Sequence, residues 1–404
     1  MNLFLLQHAH PFIYKKLDFY TDSKPIATSP SLAQYLYEIK EKIKQFNQEW
    51  DIYKEYTNPF EYIHTVVPPL KHAISTYRPL SRSYFKMVEI ITHFEMMKLC
   101  STSEPCHTFH LAEGPGGFIE AFVNQRKTAA PMAYTKDKYV GMTLIDDADK
   151  MIPSWKKSQT FLKNNPTVSI EYGTDETGNL LSLHNFIGAV HKYGSSMHFV
   201  TADGGFDFSD NFNKQEQKIT NLLFAQIAYA LCTQKKGGTF VLKVFDCFAE
   251  ATIDLLYLLS SMYEKVYVTK PQTSRYANSE RYIVCMHFHF EHYSTFYPHI
   301  LSAFTKMCCT PDDRSVQRFF AHPLPMYYLN RLEESNIVIG MNQIENIYAT
   351  ISLMENKASK KSRMEYLIKT HVAKCIHWCA QHNVPILPSL AQRTIGYNHC
   401  PLDK

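Results

Sequence analysis

The sequence predicts an α/β protein built on a mostly parallel, seven-stranded sheet with an antiparallel edge strand and helices on both faces. Between residues 81 and 290, short apolar runs alternate with longer runs of helical periodicity, which is the pattern of a parallel sheet with crossover helices. The last two apolar runs are joined by a polar loop without a helix, which indicates an antiparallel final pair at one edge. The flanking segments lack this alternation and have a mainly helical texture.

The elements of the central region follow from the change between strand-like and helical periods along the chain. The predicted strands are Thr108–Ala112, Tyr139–Leu144, Val168–Tyr172, His198–Ala202, Thr239–Val244, Lys265–Lys270 and Tyr282–Phe290. The predicted helices are Tyr84–Cys100, Phe118–Arg126, Leu183–Lys192, Lys214–Cys232 and Ala249–Met262. Because strands of a parallel sheet are buried on both faces, we expect these helices to pack on both sides.

The texture of the sequence divides the chain into three regions. We expect an N-terminal, partly helical extension at residues 1–80, a central domain at 81–290 and a mainly helical C-terminal region at 291–404. In the extension, a charged stretch at Ala33–Asn47 is helix-like, and proline-containing loops follow it.

The C-terminal region has apolar spacing typical of helices over Ile337–Met354 and Met364–Gln381. Between these helices lies a basic run, Lys357–Arg363. Charged runs of this length usually form solvated helix ends, so we favour that interpretation over an RNA contact.

The composition permits an RNA partner and a cytoplasmic location. The 404-residue chain has a formal net charge of +4, which allows RNA binding through a local groove but excludes a polybasic coat. Its 10 cysteines show no regular framework, which favours a reducing compartment. The N-terminal segment lacks the features of a signal peptide, and no apolar run is long enough to span a bilayer. We therefore expect a soluble protein that does not associate with membranes.

A glycine-rich turn follows the first predicted strand. The segment Glu113-Gly-Pro-Gly-Gly-Phe118 leads from that strand directly into a helix. Glycines there let the backbone approach a ligand closely, and the helix N-terminus presents free N–H groups. A dinucleotide site would need a third glycine where Ile119 stands, so NAD is disfavoured. A tight turn without any ligand explains the same pattern equally well.

Two charged residues come at the ends of neighbouring predicted strands. Asp203 follows a central strand at the edge where open α/β sheets bind ligands. Lys243 stands near the end of the next strand, among Val, Leu and Phe, where a lysine is costly unless its ammonium group leaves the strand or meets a partner. Each residue alone would be an ordinary edge charge. Together they favour a site.

Two further charged residues lie near the two ends of the central region. Glu280 lies in a polar loop just before the final strand, and Lys86 begins the amphipathic helix before the first strand. In isolation, each would be interpreted as a surface charge.

Lys86, Asp203, Lys243 and Glu280 occur in the order and local contexts of the Lys-Asp-Lys-Glu tetrad of FtsJ-like ribose 2′-O-methyltransferases. The chain resembles their cap-specific branch in Asn278–Tyr282 and in Gly141–Leu144. The resemblance covers about residues 81–290 and rests on four separated motifs. It implies a Rossmann-like methyltransferase fold, S-adenosyl-L-methionine as cofactor, RNA as substrate and no metal. It extends to a viral member of the family, which implies the cytoplasm of an infected cell, or the virion, as the location.

The resemblance also implies a role for each member of the tetrad. Two neighbouring lysines repel each other, which lowers the pKa of at least one. A lysine tuned in this way can accept the ribose hydroxyl proton or hold the developing alkoxide, and this role falls to Lys243. Asp203 would orient Lys243 near the positive sulfonium, while Lys86 and Glu280 would position the ribose hydroxyl. Alignment would supply most of the rate.

For the cofactor, the resemblance implies a set of binding residues around the strand ends. Asn179 is the departure in this set, because family members commonly have Gly-Asp-Ile or similar where this chain has Thr177-Gly-Asn-Leu180. Asn179 can still form a hydrogen bond with adenine. Asp147, beside Asp146, is a further candidate for the ribose. The predicted cofactor-binding residues are Glu113, Gly114, Pro115, Gly116, Gly117, Phe118, Asp146, Asn179 and Asp203.

Three functions remain open at this point. The first is methylation of the mRNA 5′ cap region, with a protein of the capping machinery as a possible partner. The second is methylation of rRNA or tRNA, and the third is a catalytically silent RNA-binding or scaffolding subunit. A structural zinc site is disfavoured, because the spacing fits no standard finger in the set Cys375, His377, Cys379, His382, His399 and Cys400.

Overall fold

The computed structural model describes residues 1–21, 28–146, 152–205, 215–310, 316–356 and 360–388. Within these ranges, eight strands form one sheet in the order β1-β7-β8-β6-β5-β2-β3-β4. The strands are β1 Leu3–Leu5, β2 His107–Leu111, β3 Lys138–Met142, β4 Val168–Ile170, β5 Met197–Ala202, β6 Gln234–Phe245, β7 Tyr263–Thr269 and β8 Glu280–Phe288. Strands β2 to β6 pair in parallel, whereas β8 runs antiparallel to both β6 and β7.

Helices cover both faces of this sheet, as the alternation of the sequence predicted. In the central region they are α3 Ser83–His93, α4 Gly117–Ala129, α5 Gln159–Asn164, α6 Leu183–Tyr193, α7 Gln215–Lys218, α8 Thr220–Thr233 and α9 Glu250–Met262. The flanking helices are α1 Pro30–Ile43, α2 Asn47–Thr57, α10 Tyr297–Cys309, α11 Met326–Glu355 and α12 Lys360–Gln381. None of the helices in the described ranges combines the length and apolarity that crossing a bilayer requires.

The sheet differs from the prediction in two respects, and the first is that it has eight strands, not seven. The additional strand, β1, comes from the N-terminal extension and pairs antiparallel with β7, so it covers the edge that was expected to end the sheet. The predicted antiparallel pair at Lys265–Lys270 and Tyr282–Phe290 is present as β7 and β8. However, β8 lies between β6 and β7 and not at the edge.

Two predicted helices are divided in the structure. The first ends at His93, because Glu95 adopts a left-handed conformation with φ 48° and a short 3-10 turn, Met96–Leu99, follows. The helix predicted at Lys214–Cys232 becomes α7 and α8, separated at Ile219.

The alternation of side chains along the strands explains how the site is assembled. Successive residues of a strand point to opposite faces of the sheet. In β6, Leu242 and Val244 belong to the core cluster formed with α8 and α9, whereas Val241 packs in the cluster formed with α3 and α4. Lys243 therefore projects on the same face as Val241, toward the helix that carries Lys86. Because β8 is antiparallel, its first residue lies opposite Phe245, the last residue of β6.

Candidate active site

Lys86 and Glu280 form a buried ion pair. Lys86 Nζ lies 2.6 Å from Oε1 of Glu280 and 2.8 Å from Oε2. The Oε1 atom also accepts a hydrogen bond of 2.8 Å from the Ser274 hydroxyl. The pair joins α3 to the start of β8, although the two residues are 194 positions apart in the sequence.

Asp203 and Lys243 form a second pair at the ends of β5 and β6. Lys243 Nζ donates a hydrogen bond of 2.6 Å to the backbone oxygen of Asp203 and lies 3.2 Å from its Oδ1. Both side chains are partly exposed, at 12% for Lys243 and 15% for Asp203. This pair is therefore the part of the tetrad that an incoming substrate can reach.

Tyr282 connects the two pairs, and the sequence did not predict its role. Its hydroxyl donates a hydrogen bond of 3.1 Å to Oδ1 of Asp203, and its ring centroid lies 5.9 Å from Lys86 Nζ. Tyr282 is fully buried and lies directly opposite Lys243 in the β6–β8 register. The structure thus brings all four predicted catalytic residues together around one buried phenol.

Burial and mutual charge shape the electrostatics of the tetrad. Burial lowers the pKa of Lys86, and the nearby charges of Arg82 and Lys243 lower it further, although Glu280 opposes them. Burial alone would raise the pKa of Glu280, but the ammonium groups of Lys86 and Lys243 hold it well below its usual range. The Glu280 carboxylate therefore stays ionised. Repulsion by Lys243 contributes to the lowered pKa of Lys86, but burial is the larger cause.

The glycine turn leaves β2 and opens α4. Gly116 has φ +108°, a backbone conformation that favours glycine, and its N–H donates to the backbone oxygen of Glu113 at 2.6 Å. Glu113 Oε1 accepts the Phe118 N–H at 2.5 Å, which caps the helix start. The other carboxylate oxygen, Oε2, is buried and has no hydrogen-bond partner among the described residues. Burial, followed by the charge of Asp203, raises the pKa of Glu113 well above its usual value.

Trp155 lies over this turn and was missed by the sequence analysis. Its ring is so close to the backbone at Gly141 that a Cβ there would lie 2.5 Å from it, and its edge is 3.5 Å from where a Cβ of Gly116 would be. The indole Nε1 is buried without a partner in the described part of the chain. An isolated tryptophan in a polar loop carries no sequence pattern that marks it as a ligand-binding residue. Its position over the turn is what suggests that role.

Among the described residues, a carboxyl oxygen of Glu113 and the indole N–H of Trp155 are both without a partner, and both side chains border the same turn. Buried polar atoms without partners are rare in proteins and call for an explanation. A ligand that carries both donors and acceptors would satisfy both atoms. S-adenosylmethionine has ammonium and hydroxyl donors as well as carboxylate and adenine acceptors, so the residues present fit this cofactor. The turn adjoins the tetrad, since the rings of Phe118 and Tyr282 have centroids 6.0 Å apart.

The remaining predicted cofactor residues lie beyond β3 and β4. Asp146 is exposed just after β3, and the loop that precedes it is tied to the Asn179 loop by a backbone bond of 2.7 Å from Ile145 to Thr177. Oδ1 of Asn179 accepts the Leu181 N–H at 2.9 Å. Asp147 lies outside the described residues.

The histidines and cysteines described in the C-terminal region do not form a group that could hold a metal ion. In α12, Cys375 and Cys379 are buried, whereas His377 is exposed. His399 and Cys400 lie outside the described residues. Within the ranges that are described, no group of three or more His, Cys, Asp or Glu side chains could hold a metal ion.

A cavity of about 150 Å³ adjoins the tetrad on the side of Phe245. The ring of Phe245 lies 5.5 Å from Lys243 Nζ, which places the cavity next to the reachable lysine. Its wall combines residues of α1 and α2 with the loop before β8, including Lys40, Trp50, Lys54, Arg275 and Ser279.

Comparisons with known proteins point to one family. The profile of a family described as FtsJ-like methyltransferase matches residues 79–288. A cap-specific mRNA (nucleoside-2′-O-)-methyltransferase 2 from Pongo abelii is 30% identical over 279 residues, which cover 68% of this chain and 35% of the relative. A cap-specific mRNA (nucleoside-2′-O-)-methyltransferase 1 from Mus musculus is 37% identical over 178 residues, covering 43% of this chain and 20% of the relative. The chain thus spans about a third or less of the length of these relatives.

Proposed function

Because the chain belongs to the FtsJ-like methyltransferase family, we propose that it transfers the methyl group of S-adenosylmethionine to a ribose 2′-hydroxyl of RNA. The observation that carries this proposal is the convergence of Lys86, Asp203, Lys243 and Glu280 around Tyr282. These residues come from four distant parts of the sequence. A cluster of two amines and two carboxylates at the ligand-binding edge of a parallel sheet is suited to aligning and deprotonating a hydroxyl group.

The proposed roles follow from which groups are reachable. Lys243 Nζ contacts two oxygens of Asp203, the backbone oxygen and Oδ1. The ribose 2′-oxygen would approach Nζ from the side opposite these two oxygens. There Lys243 would accept the hydroxyl proton or donate to the developing alkoxide. The deeper pair, Lys86 and Glu280, would position the hydroxyl and balance the charge. Asp203 would also bring negative charge close to the cofactor.

The cofactor site is proposed at the glycine turn. When bound, S-adenosylmethionine supplies an electrophilic methyl group on a positively charged sulfur. Glu113 Oε2 and Trp155 Nε1 would form hydrogen bonds with its polar groups, and the N-terminus of α4 would face its carboxylate. The remaining predicted contacts, with Gly114–Phe118, Asp146 and Asn179, belong to the same proposal.

The proposed substrate is the 5′ cap region of mRNA. This is supported by the relatives, which are named as cap-specific mRNA 2′-O-methyltransferases. We further propose that the protein acts in the cytoplasm and has a partner protein in the capping machinery. We also propose that residues 81–290 form the catalytic unit, with residues 1–80 and 291–404 flanking it.

Methyl transfer to matched RNAs tests the proposal. Capped and uncapped RNAs of one sequence, together with a structured rRNA fragment, would be incubated with the full chain and methyl-labelled cofactor. Nuclease mapping would then locate the label. We expect label on a ribose near the cap. Transfer to the rRNA fragment alone would replace the cap assignment, and binding of RNA without transfer to any substrate would replace the enzyme by a scaffold.

A further inference from the structure

Two arginines beside the tetrad share one buried carboxylate. Arg275 donates to Glu61 through Nε at 2.9 Å and through Nη2 at 2.5 Å, and Nη1 of Arg82 lies 3.9 Å from the same carboxylate. The Glu61 side chain is only 2% exposed. Although burial alone would raise the pKa of Glu61, its hydrogen bonds and charge interactions with Arg275 lower it to about 2, so the carboxylate stays ionised.

Both arginines are close to the reacting groups. Arg82 directly precedes α3 and stands one helical turn before Lys86, which places the two side chains on one face. Arg275 follows Ser274, whose hydroxyl binds Glu280. Arg275 also lines the cavity that adjoins the tetrad.

The two guanidinium groups repel each other, although acidic side chains offset part of their charge. Arg82 and Arg275 share Glu61, the charge of Glu280 also acts on Arg82, and the charges of Glu55 and Asp51 act on Arg275. The burial of Arg82 and the charge of Arg275 lower the pKa of Arg82, so an anion placed between the two guanidinium groups would relieve their repulsion.

Arg82 also has hydrogen-bonding capacity to spare. Its Nη1 is buried and has no hydrogen-bond partner among the residues that the structure describes, since the Glu61 oxygen is too far away. The two side chains remain reachable, however, with 29% of Arg82 and 21% of Arg275 exposed. The buried Nη1 of Arg82 thus has no acceptor within the described ranges, although part of the same side chain is exposed to solvent.

We propose that Arg82 and Arg275, oriented by Glu61, bind the phosphate on the 3′ side of the ribose that is methylated. This inference rests on the proposed function. A guanidinium group binds both carboxylates and phosphates, and of these two the proposed RNA substrate supplies phosphate. The 3′-phosphate is attached to the ribose carbon next to the one that bears the 2′-hydroxyl, so it is the phosphate closest in bonds to the reacting oxygen. Phosphate contacts fix the position of a nucleic acid without recognising its sequence. The reaction requires such positioning of the ribose.

The first test measures binding of a short capped RNA as a function of salt by fluorescence anisotropy. The variants are Arg82→Gln, Arg275→Gln and the double variant, with Arg331→Gln as a matched control, because Arg331 pairs with Glu334 on α11 and binds the backbone of Leu5. For one lost phosphate contact, we expect the negative slope of log K against log salt to become shallower by about 0.7 in the double variant. The control should keep the slope of the wild type.

The second test changes the RNA and leaves the protein intact. A neutral methylphosphonate would replace the phosphate 3′ of the target ribose. We expect it to weaken binding to the wild type by about 10-fold, and to have no further effect on the double variant, because the two changes remove the same contact. If the double variant is unstable by circular dichroism, Arg82→Lys takes its place. It keeps the charge but loses the fork, so we expect a smaller methylphosphonate effect than in the wild type.

The role of Glu61 is tested separately with Glu61→Gln. As a positioning residue, it should raise KM for RNA while leaving kcat and the affinity for S-adenosylmethionine unchanged. A loss of cofactor affinity in this variant would instead indicate a general structural role.

The outcomes separate this inference from the proposed function. If the arginine variants keep the wild-type salt slope, or if the methylphosphonate weakens the wild type and the double variant equally, the phosphate site is wrong even when methyl transfer is intact. If the wild type transfers no methyl group but its salt slope depends on the arginines, the phosphate site stands and the proposed activity fails.

Discussion

Lys243 of β6 and Tyr282 of β8 face each other across an antiparallel pair, and both side chains end on Oδ1 of Asp203. This oxygen lies 3.2 Å from Lys243 Nζ and 3.1 Å from the Tyr282 hydroxyl, so it contacts both side chains. The phenol therefore limits how the carboxylate can rotate. Because its ring also contacts Lys86, Tyr282 couples the reachable pair to the buried pair.

This geometry predicts that Tyr282→Phe slows methyl transfer without preventing RNA binding. The variant keeps the ring in the core but removes the hydrogen bond that fixes Asp203. Hydrogen bonds to charged groups contribute about 1.5–3 kcal/mol, so we expect kcat to fall by about 10-fold or more. KM for RNA should not change. Steady-state kinetics with capped RNA would measure both constants.

Tyr263→Phe is the matched control for this variant. Tyr263 is likewise fully buried in a strand, but its hydroxyl bonds Gln234 at the other end of the sheet. We expect its kcat to equal that of the wild type. Equal losses of kcat in the two variants would show that the phenol of Tyr282 acts only through general packing.

Lys243→Ala should abolish methyl transfer while the protein remains folded. A positioned acid or base typically contributes about 10²- to 10⁴-fold to a rate, so residual activity should fall by at least about 100-fold. Lys236→Ala provides a control on the same strand, because Lys236 is exposed and pairs with Glu291. Single-turnover transfer and thermal unfolding would be compared for both variants. Retained transfer by Lys243→Ala would overturn the proposed mechanism.

The proximity of the four tetrad residues was implied by the resemblance to the FtsJ-like family, since Lys86 and Glu280 in isolation would be interpreted as surface charges. The role of Tyr282 could not be predicted, since a tyrosine within an apolar strand is usually part of the core. Its function depends on the β6–β8 register, which places its hydroxyl at Asp203, 79 positions away. The role of Trp155 could not be predicted for a similar reason, because only the folded loop brings its ring over Gly116.

The flanking regions were harder to predict than the central sheet. β1 contains three residues, which is too few to show a strand period. The contact between Glu61 and Arg275 spans 214 positions and joins the extension to the loop before β8. No local pattern encodes such a pair. The alternation of strands and helices, by contrast, is repeated along the chain, so the parallel part of the sheet was predictable.

Glu113→Gln and Trp155→Phe should weaken the binding of S-adenosylmethionine in the absence of RNA. Among the described residues, neither side-chain atom has a partner: the first variant replaces a carboxyl oxygen by an amide nitrogen, and the second removes the indole N–H donor. Leaving a ligand group without its buried partner costs about 1–3 kcal/mol, so we expect about 5- to 150-fold weaker binding. Isothermal titration calorimetry would measure it directly.

Trp378→Phe is the control for the tryptophan, because Trp378 is also buried, its Nε1 has no partner among the described residues, and it lies in α12. Its cofactor affinity should match that of the wild type. If Glu113→Gln and Trp155→Phe also bind like the wild type, the cofactor does not contact these two atoms.

The buried Glu61 carboxylate should make stability depend on pH in a defined window. Its pKa falls from 4.5 to about 2 on folding, so the folded protein binds this proton less readily than the unfolded chain. For a lowered pKa, the stabilisation is fully present above the unfolded value and is lost as the pH falls toward the folded value. The window for Glu61 therefore lies between about pH 5 and pH 2.

Urea unfolding of the wild type and of Glu61→Gln between pH 6 and pH 3 would isolate this contribution. Linkage with a folded pKa of about 2 predicts that the wild type loses about 2 kcal/mol more than the variant over this range. The reason is that protonated Glu61 resembles glutamine, so the two proteins should converge in acid. Glu264→Gln, at an exposed position, should follow the wild-type pH profile. Parallel pH profiles for the wild type and Glu61→Gln would mean that the carboxylate gains nothing from its arginines on folding.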